Sequence, residues 1–239
     1  MGNCAVGRLT LAASASSGLS VSFSVISGPA TVSGNTLTIT GAGTVVVAAN
    51  QSGNSTYGPA QATQKLTVNQ AQLTVTANNA SMTYGGIVPT LSGTVTGVVA
   101  GDGITASYFT QASSTSTAGN YPIVATLNDP NGKLGNYAVI NTSGTLTIGK
   151  ATPAVSWATS ASIPYGTALG SSQLNATSTV AGSFSYSPSA GTVLTAGSHN
   201  ISVNFTPTDA TDYQQGSTEA KRLALNRVAG IFEAPKDKS

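Results

Sequence analysis

Residues 71–150 contain the sequence pattern that is most informative about the fold. The stretch opens with Ala71-Gln72-Leu73-Thr74-Val75-Thr76-Ala77, carries Tyr84-Gly85, and closes on Gly144-Thr145-Leu146-Thr147-Ile148. From Ala151 the same series begins again, so the sequence repeats with a period of about 80 residues. Apolar and polar residues alternate in each run, as they do in strands with one buried and one solvated face. The sequence therefore predicts small β-domains in tandem.

Working outward, the neighbouring repeats align by their turn motifs. Tyr84-Gly85 corresponds to Tyr165-Gly166 in the third repeat. The loop Thr117-Ala118-Gly119 corresponds to Thr195-Ala196-Gly197, and Gly41-Ala42-Gly43 takes its place in the first repeat. One tyrosine precedes the last expected strand of each repeat and follows turn-forming residues; these tyrosines are Tyr57, Tyr137 and Tyr213.

Many short strands joined by Gly-rich turns predict an all-β chain of three immunoglobulin-like β-sandwich domains. We expect these domains at residues 9–70, 71–150 and 151–228, between a non-repeat segment at 1–8 and a charged non-repeat tail at 229–239. The first domain has no Tyr-Gly element and little room before Leu9. We therefore expect it to be truncated and to lack its first strand.

Composition excludes several classes of protein. Charged residues are 7% of the chain, against roughly 25% in typical domains, and the net charge is only +2, which argues against a nucleic-acid partner. The single cysteine, Cys4, allows neither an intrachain disulfide nor a cysteine metal cluster. Apolar runs such as residues 45–49 are too short for a membrane helix, and the N-terminus lacks a convincing signal-peptide pattern. We expect no membrane insertion by this chain.

His199 is the only histidine, so a Ser-His-Asp triad is arithmetically available. The repeat alignment argues against a triad, because the corresponding residues are Tyr121 and Val45, which are not bases. We expect a structural role at the start of a strand. No catalytic residue and no cofactor-binding residue is assigned.

Metal binding is considered only at Asp209 and Asp212, which lie in a turn ahead of the last strand. Calcium takes oxygen ligands, but two carboxylates are few for a hard divalent cation. One histidine and one cysteine are too few for the usual zinc sites. We favour a solvated turn and assign no metal ligand, while calcium binding at this pair stays open.

Trp157 has two interpretations. It alternates with Val155 on a predicted first strand, where a core tryptophan is typical of immunoglobulin-like sandwiches. Alternatively it is a platform for stacking a sugar ring. The seven acidic residues are scattered over the chain, so no pair of carboxylates is nominated for glycoside hydrolysis. Burial in the core is the favoured interpretation.

The middle repeat carries a series of short motifs, namely Ala80-Ser81-Met82-Thr83-Tyr84-Gly85, Pro89, Gly101-Asp102, Gly119-Asn120-Tyr121, Asn136-Tyr137 and Gly144-Thr145-Leu146-Thr147-Ile148. Through them the sequence resembles the bacterial MBG or YDG-type immunoglobulin-like repeats, which occur in tandem in large secreted and cell-surface proteins. The first repeat resembles a related class through residues 27–35. The third resembles bacterial Ig-like repeats through residues 186–191 and 205–207. The resemblance implies surface exposure with adhesion or stalk roles, and it supplies no catalytic residues.

The favoured hypothesis is a non-enzymatic structural or adhesive segment of a bacterial extracellular or cell-surface protein, serving as a stalk or adhesin module. Surface glycans or other cell-surface proteins are the expected partners, and the chain is expected to be a monomeric segment of a longer array. The alternative is a carbohydrate-binding accessory module of a longer secreted enzyme. An exposed Trp157 with a neighbouring tyrosine in one concave face would favour that alternative.

Overall fold

The computed structural model describes residues 7–158 and 163–226. Cys4, most of the expected N-terminal segment and the whole tail at 229–239 lie outside the described residues. The described chain is built from β-strands with one short 3₁₀ helix at Leu134–Asn136, which confirms the all-β fold class. Within this part of the chain, no helix has the length and apolar character needed to cross a bilayer.

The chain forms two compact units. The first contains the described residues of Met1–Ala80 together with Pro89–Gln111 and Tyr121–Leu146. The second contains Ser81–Val88, Ala112–Asn120 and the described residues of Thr147–Ser239. The number of domains and the boundaries near residues 70 and 150 remain predictions. We refer to residues 7–70, 71–150 and 151–226 as the N-terminal, middle and C-terminal repeats.

The N-terminal repeat has six strands in two sheets. They are β1 (Arg8–Thr10), β2 (Ser22–Ser27), β3 (Ala30–Ser33), β4 (Thr36–Ile39), β5 (Gly43–Gln51) and β6 (Ala60–Val68). The sheet orders are β1-β4-β3 and β2-β5-β6. Alternate residues of β4 and β5 point into a core made of Leu37, Ile39, Val45 and Val47. The apolar residues whose alternation predicted these strands are therefore the residues that the fold buries.

The middle repeat has seven strands, again in two sheets. They are β7 (Ala71–Ala77), β8 (Ala80–Thr83), β9 (Gly93–Thr96), β10 (Thr105–Phe109), β11 (Gly119–Asn128), β12 (Tyr137–Thr142) and β13 (Gly144–Gly149). The sheet orders are β12-β7-β9 and β10-β11-β13-β8. Leu73 and Val75 of β7 are completely buried. Burial of each such side chain contributes about 1.5–3 kcal/mol.

The C-terminal repeat has six described strands, which are β14 (Val155–Ser156), β15 (Ile163–Pro164), β16 (Thr177–Ser178), β17 (Gly182–Ser187), β18 (Gly197–Pro207) and β19 (Ser217–Asn226). The sheet orders are β14-β16 and β15-β19-β18-β17. Ile201, Val203 and Leu223 are fully buried in its core. This repeat therefore shows the same alternation of buried and exposed residues as the other two.

The first strand expected to be missing from the N-terminal repeat has a substitute. In the middle repeat β7 runs antiparallel to β9, and in the N-terminal repeat β4 runs antiparallel to β1. Both β9 and β1 immediately precede the strands β10 and β2, so β4 occupies the sheet position of β7. The chain reaches that position by a β3–β4 hairpin after β2. The sequence did not predict this replacement, because hydrophobic alternation shows where strands are and not which strands pair.

Candidate functional site

His199 lies on β18 and is half-buried. Its Nε2 is 2.8 Å from the backbone oxygen of Thr195 and 3.3 Å from the Thr195 hydroxyl. These contacts attach the imidazole to the loop that precedes its own strand. Among the residues whose side chains the structure describes, the hydrogen-bond partner of the ring is Thr195, a residue of its own repeat.

Asp209 serves a turn. Its Oδ1 accepts hydrogen bonds from the backbone nitrogens of Thr211 at 3.0 Å and Asp212 at 3.1 Å. This is the way in which aspartate side chains close Asx turns. Among residues 7–158 and 163–226, no three His, Cys, Asp or Glu side chains are grouped so that they could hold a metal ion.

Trp157 follows β14 directly and is buried, with 5% of its surface exposed. Its indole Nε1 donates to the backbone oxygen of Gln173 at 2.9 Å, and its ring packs on Tyr186 at 5.7 Å between centroids. A buried tryptophan cannot stack on a sugar ring. Trp157 is therefore a core residue. It does not form the exposed platform that would have favoured carbohydrate binding.

The Tyr-Gly turns have the backbone expected of them. Gly85 has φ +78° and Gly166 has φ +88°, a region that side-chain-bearing residues rarely occupy. In the middle repeat, the Gly85 nitrogen donates to the backbone oxygen of Ser114 at 3.2 Å. The turn is thereby held against the loop that leads into Thr117-Ala118-Gly119.

A turn ahead of β12 connects the middle repeat to the N-terminal repeat. Asn136 Oδ1 accepts a hydrogen bond from the Ala42 nitrogen at 2.9 Å. The side chain of Gln70 donates to the backbone oxygen of Gly135 at 3.0 Å. Tyr137, the next residue, pairs with Ala71 where β12 and β7 run parallel. One turn thus binds the preceding repeat, the linker and the first strand of its own repeat.

The C-terminal repeat makes the same contacts to the middle repeat. Asp212 Oδ1 accepts from the Ala118 nitrogen at 2.6 Å, and Lys150 Nζ donates to the backbone oxygen of Ala210 at 2.5 Å. Tyr213 forms a parallel bridge with Ala151. We call residues 135–137 and 210–213 the Asx-Tyr turns. In each one, a side-chain oxygen of Asn or Asp accepts a hydrogen bond from the backbone amide of a loop alanine in the preceding repeat.

The two contacts agree in position as well as in chemistry. Ala42 and Asn136 are 94 residues apart, and so are Ala118 and Asp212. Gln70 and Lys150 occupy the same place in their linkers, one residue ahead of the alanine that begins the next repeat. These loops and turns align between the repeats of the sequence, but their alignment did not predict that they meet. The constant spacing was the signal that could have shown it.

A tyrosine pair completes the second contact. The rings of Tyr84 and Tyr213 lie 5.5 Å apart at 77°, the edge-to-face geometry that aromatic pairs favour. Desolvation raises the pKa of the Tyr84 hydroxyl, and the negative charge of Asp212 raises this pKa further. Both effects favour the neutral phenol, so the contact is best formed with Tyr84 protonated.

Tyr137 also fastens a loop of its own repeat. Its hydroxyl donates to Asp102 Oδ2 at 2.5 Å and accepts from the Val99 nitrogen at 2.8 Å. The ring is buried, with 4% of the residue exposed. Two motifs of the middle repeat that are distant in sequence, Gly101-Asp102 and Asn136-Tyr137, are therefore parts of one hydrogen-bonded cluster.

Comparison with known families supports the class of the middle repeat. Residues 73–147 match the family model of the MBG domain, YGX type, which confirms the predicted MBG resemblance. The match suggests a structural or adhesion-type β repeat module in this region. Comparison with curated proteins gives no match.

Similar solved structures include two of Drosophila N-cadherin. A Drosophila N-cadherin structure of EC1-4 is 12% identical, with 92% of this chain and 69% of that chain covered and a TM-score of 0.24. A second Drosophila N-cadherin structure, of EC1-3, is 10% identical, with coverage of 87% and 89% and a TM-score of 0.26.

Proposed function

We propose that this chain is a connecting segment of a repeat array in a bacterial extracellular or cell-surface protein, with a stalk or adhesive role and no catalytic activity. The observation that carries the proposal is the twice-formed Asx-Tyr turn contact. A side-chain oxygen that binds a backbone amide across a linker restrains one repeat against the next. Restraint of this kind is what a stalk requires and what an enzyme active site does not.

The short linkers support the same proposal. Gln70 and Lys150 are themselves bonded to the turns that follow them in the fold, at 3.0 Å and 2.5 Å. A linker whose side chain is bonded to the next repeat differs from a Gly/Ser-rich tether, which behaves as a flexible coil. Surface glycans or other cell-surface proteins are the partners that we propose for an adhesive role.

Backbone relaxation measurements test this function. The changes are Asn136→Ala and Asp212→Ala, with Asn175→Ala, an exposed asparagine of the C-terminal repeat, as the matched control. We expect linker residues 69–71 to gain nanosecond motion only in Asn136→Ala, and residues 149–151 only in Asp212→Ala. Linkers that are already mobile in the unchanged chain would contradict a restraining role.

The proposed location is tested separately. The genomic sequence that flanks this reading frame should encode further repeats and a secretion signal. A neighbouring sequence that encodes a cytoplasmic enzyme fused to these repeats would contradict the surface assignment.

A further inference from the structure

The C-terminal repeat presents the loop that accepts an Asx-Tyr turn, but this loop is exposed. Ala42 and Ala118, whose amides bind Asn136 and Asp212, are half-buried, whereas Ala196 in the corresponding loop is exposed. The described part of the chain places no acceptor on the Ala196 amide. The amide of the third loop is therefore exposed, whereas the corresponding amides of the first two loops are bonded to an Asx-Tyr turn.

The tyrosine beside this loop is exposed as well. Tyr165 corresponds to Tyr84, which packs against Tyr213, and 60% of Tyr165 is accessible. The Tyr165-Gly166 turn lies against the loop, because Ala168 forms a bridge with Val193, which is itself 54% exposed. The same arrangement holds Tyr84-Gly85 against Ser114 in the middle repeat.

We propose that Tyr165, Val193 and the Ala196 amide form a docking face for the Asx-Tyr turn of another repeat of the same kind. This inference rests on the proposed function and adds the partner: a turn with Asn or Asp followed directly by Tyr. The Asn or Asp oxygen accepts from the Ala196 amide, and the tyrosine ring packs edge-to-face on Tyr165. The docking face continues the series of interfaces that the first two loops already form.

A second copy of this chain is a poorer occupant than a further repeat. In the N-terminal repeat the residue before Tyr57 is Thr56, which has no carbonyl oxygen in its side chain. The nearby Asn54 Oδ1 already accepts from the nitrogens of Thr56 and Tyr57, at 2.8 Å and 2.9 Å. The chain alone should therefore remain monomeric, and docking should need a repeat with a true Asx-Tyr turn.

Amide hydrogen exchange tests the proposal. In a fusion protein, residues 1–226 are followed directly by a second copy of residues 151–226. The added copy supplies a new Asp-Tyr turn. We expect exchange of the Ala196 amide to slow by about tenfold or more, because a bonded amide exchanges only when its contact opens. The matched control carries Ala in place of Asp at the position in the added copy that corresponds to Asp212. It should leave the Ala196 exchange rate unchanged.

A second chain keeps the test decisive if the added copy does not fold. It carries residues 71–150 behind Asn226, so that the Asn136-Tyr137 turn is offered to Ala196, and it should give the same slowing. Unchanged Ala196 exchange in a fusion whose added repeat is folded would overturn the docking face. Exchange at Ala118 in a separate variant, Asp212→Ala, is an independent readout. If exchange at Ala118 is faster in this variant than in the unchanged chain, the proposed restraint between repeats stands whatever happens at Ala196.

Discussion

The N-terminal and middle repeats close the same kind of sandwich with different strands. In the middle repeat, β8 pairs at the edge of β13 and completes a four-stranded sheet, as β15 does on β19 in the C-terminal repeat. In the N-terminal repeat, the described residues place no fourth strand beside β6. A groove of about 390 Å³ lies between its sheets, lined in part by Leu9, Phe23 and Leu66.

This difference shows that a β-sandwich has two separate requirements, a central strand that fills the core and an edge strand that completes the sheet. In the β1-β4-β3 sheet, the central position that β7 holds in the middle repeat is taken by β4, whose Leu37 is as completely buried as Leu73 of β7. The edge strand is not replaced. A core can therefore be supplied from a different part of the sequence, because burial requires only an apolar face in the right place. An additional edge strand, by contrast, must place its own backbone N–H and C=O groups beside those of the outer strand.

Truncation of the two corresponding leucines should have the largest effect. Leu37→Ala and Leu73→Ala each remove a fully buried side chain and should each lower the free energy of unfolding of their own repeat by about 2–5 kcal/mol. Denaturant unfolding followed by NMR signals of each repeat measures this. Ile87→Ala, at a residue that is 91% exposed, is the control and should change stability by less than about 0.5 kcal/mol. A loss below about 1 kcal/mol for Leu37→Ala would show that β4 does not replace β7.

Changes to the two corresponding tyrosines should differ sharply. Tyr137→Phe removes a buried hydroxyl that is bonded to Asp102 and Val99. It should lower the free energy of unfolding by about 1–3 kcal/mol. Tyr57→Phe, at a residue that is 49% exposed, is the matched control and should have little effect. Thermal unfolding of the two variants provides the comparison. Equal losses would mean that the Tyr137 cluster has no special role in the middle repeat.

The open edge should make the N-terminal repeat the first to unfold locally. The β2-β5-β6 sheet has one strand fewer than β10-β11-β13-β8, so the amides of β5 should exchange faster than those of β11, by about tenfold. Residue-resolved hydrogen exchange in the unchanged chain measures both. Equal protection in residues 43–51 and 119–128 would show that something covers the edge of β6.

The smallest expected effect is electrostatic and concerns only the contact between the middle and C-terminal repeats. The raised pKa of Tyr84 means that the folded chain favours the neutral phenol, so this stabilisation is complete below pH of about 10. It is lost as pH rises through the pKa of the folded state. Asp212→Asn should lower the Tyr84 pKa without restoring its ordinary value, since desolvation remains. Ultraviolet titration of the phenolate, with Tyr84→Phe to assign the signal, measures this. An unchanged pKa in Asp212→Asn would remove Asp212 as a cause.

The class of fold and most of the strands could be predicted from the amino-acid sequence alone. Alternation in Leu37 and Ile39, in Leu73 and Val75, and in Ile201 and Val203 is local, because successive residues of a strand face opposite sides. The core position of Trp157 was also predictable from its strand pattern. The motifs from Tyr84-Gly85 onward were sufficient to identify the MBG resemblance, which the family match at residues 73–147 confirms.

Strand pairing and the contacts between repeats became visible only in the folded chain. Nothing local in residues 36–39 shows that β4 occupies the position of β7, since sheet position depends on backbone hydrogen bonds to strands distant in sequence. The contacts of Asn136 with Ala42 and of Asp212 with Ala118 each join residues 94 apart. Local alternation carries no sign of a bond between a side-chain oxygen and a backbone amide, and the equal spacing of the two pairs is the trace that these bonds leave in the sequence. Their meeting is fixed by how the folded repeats place a turn of one against a loop of the repeat before it.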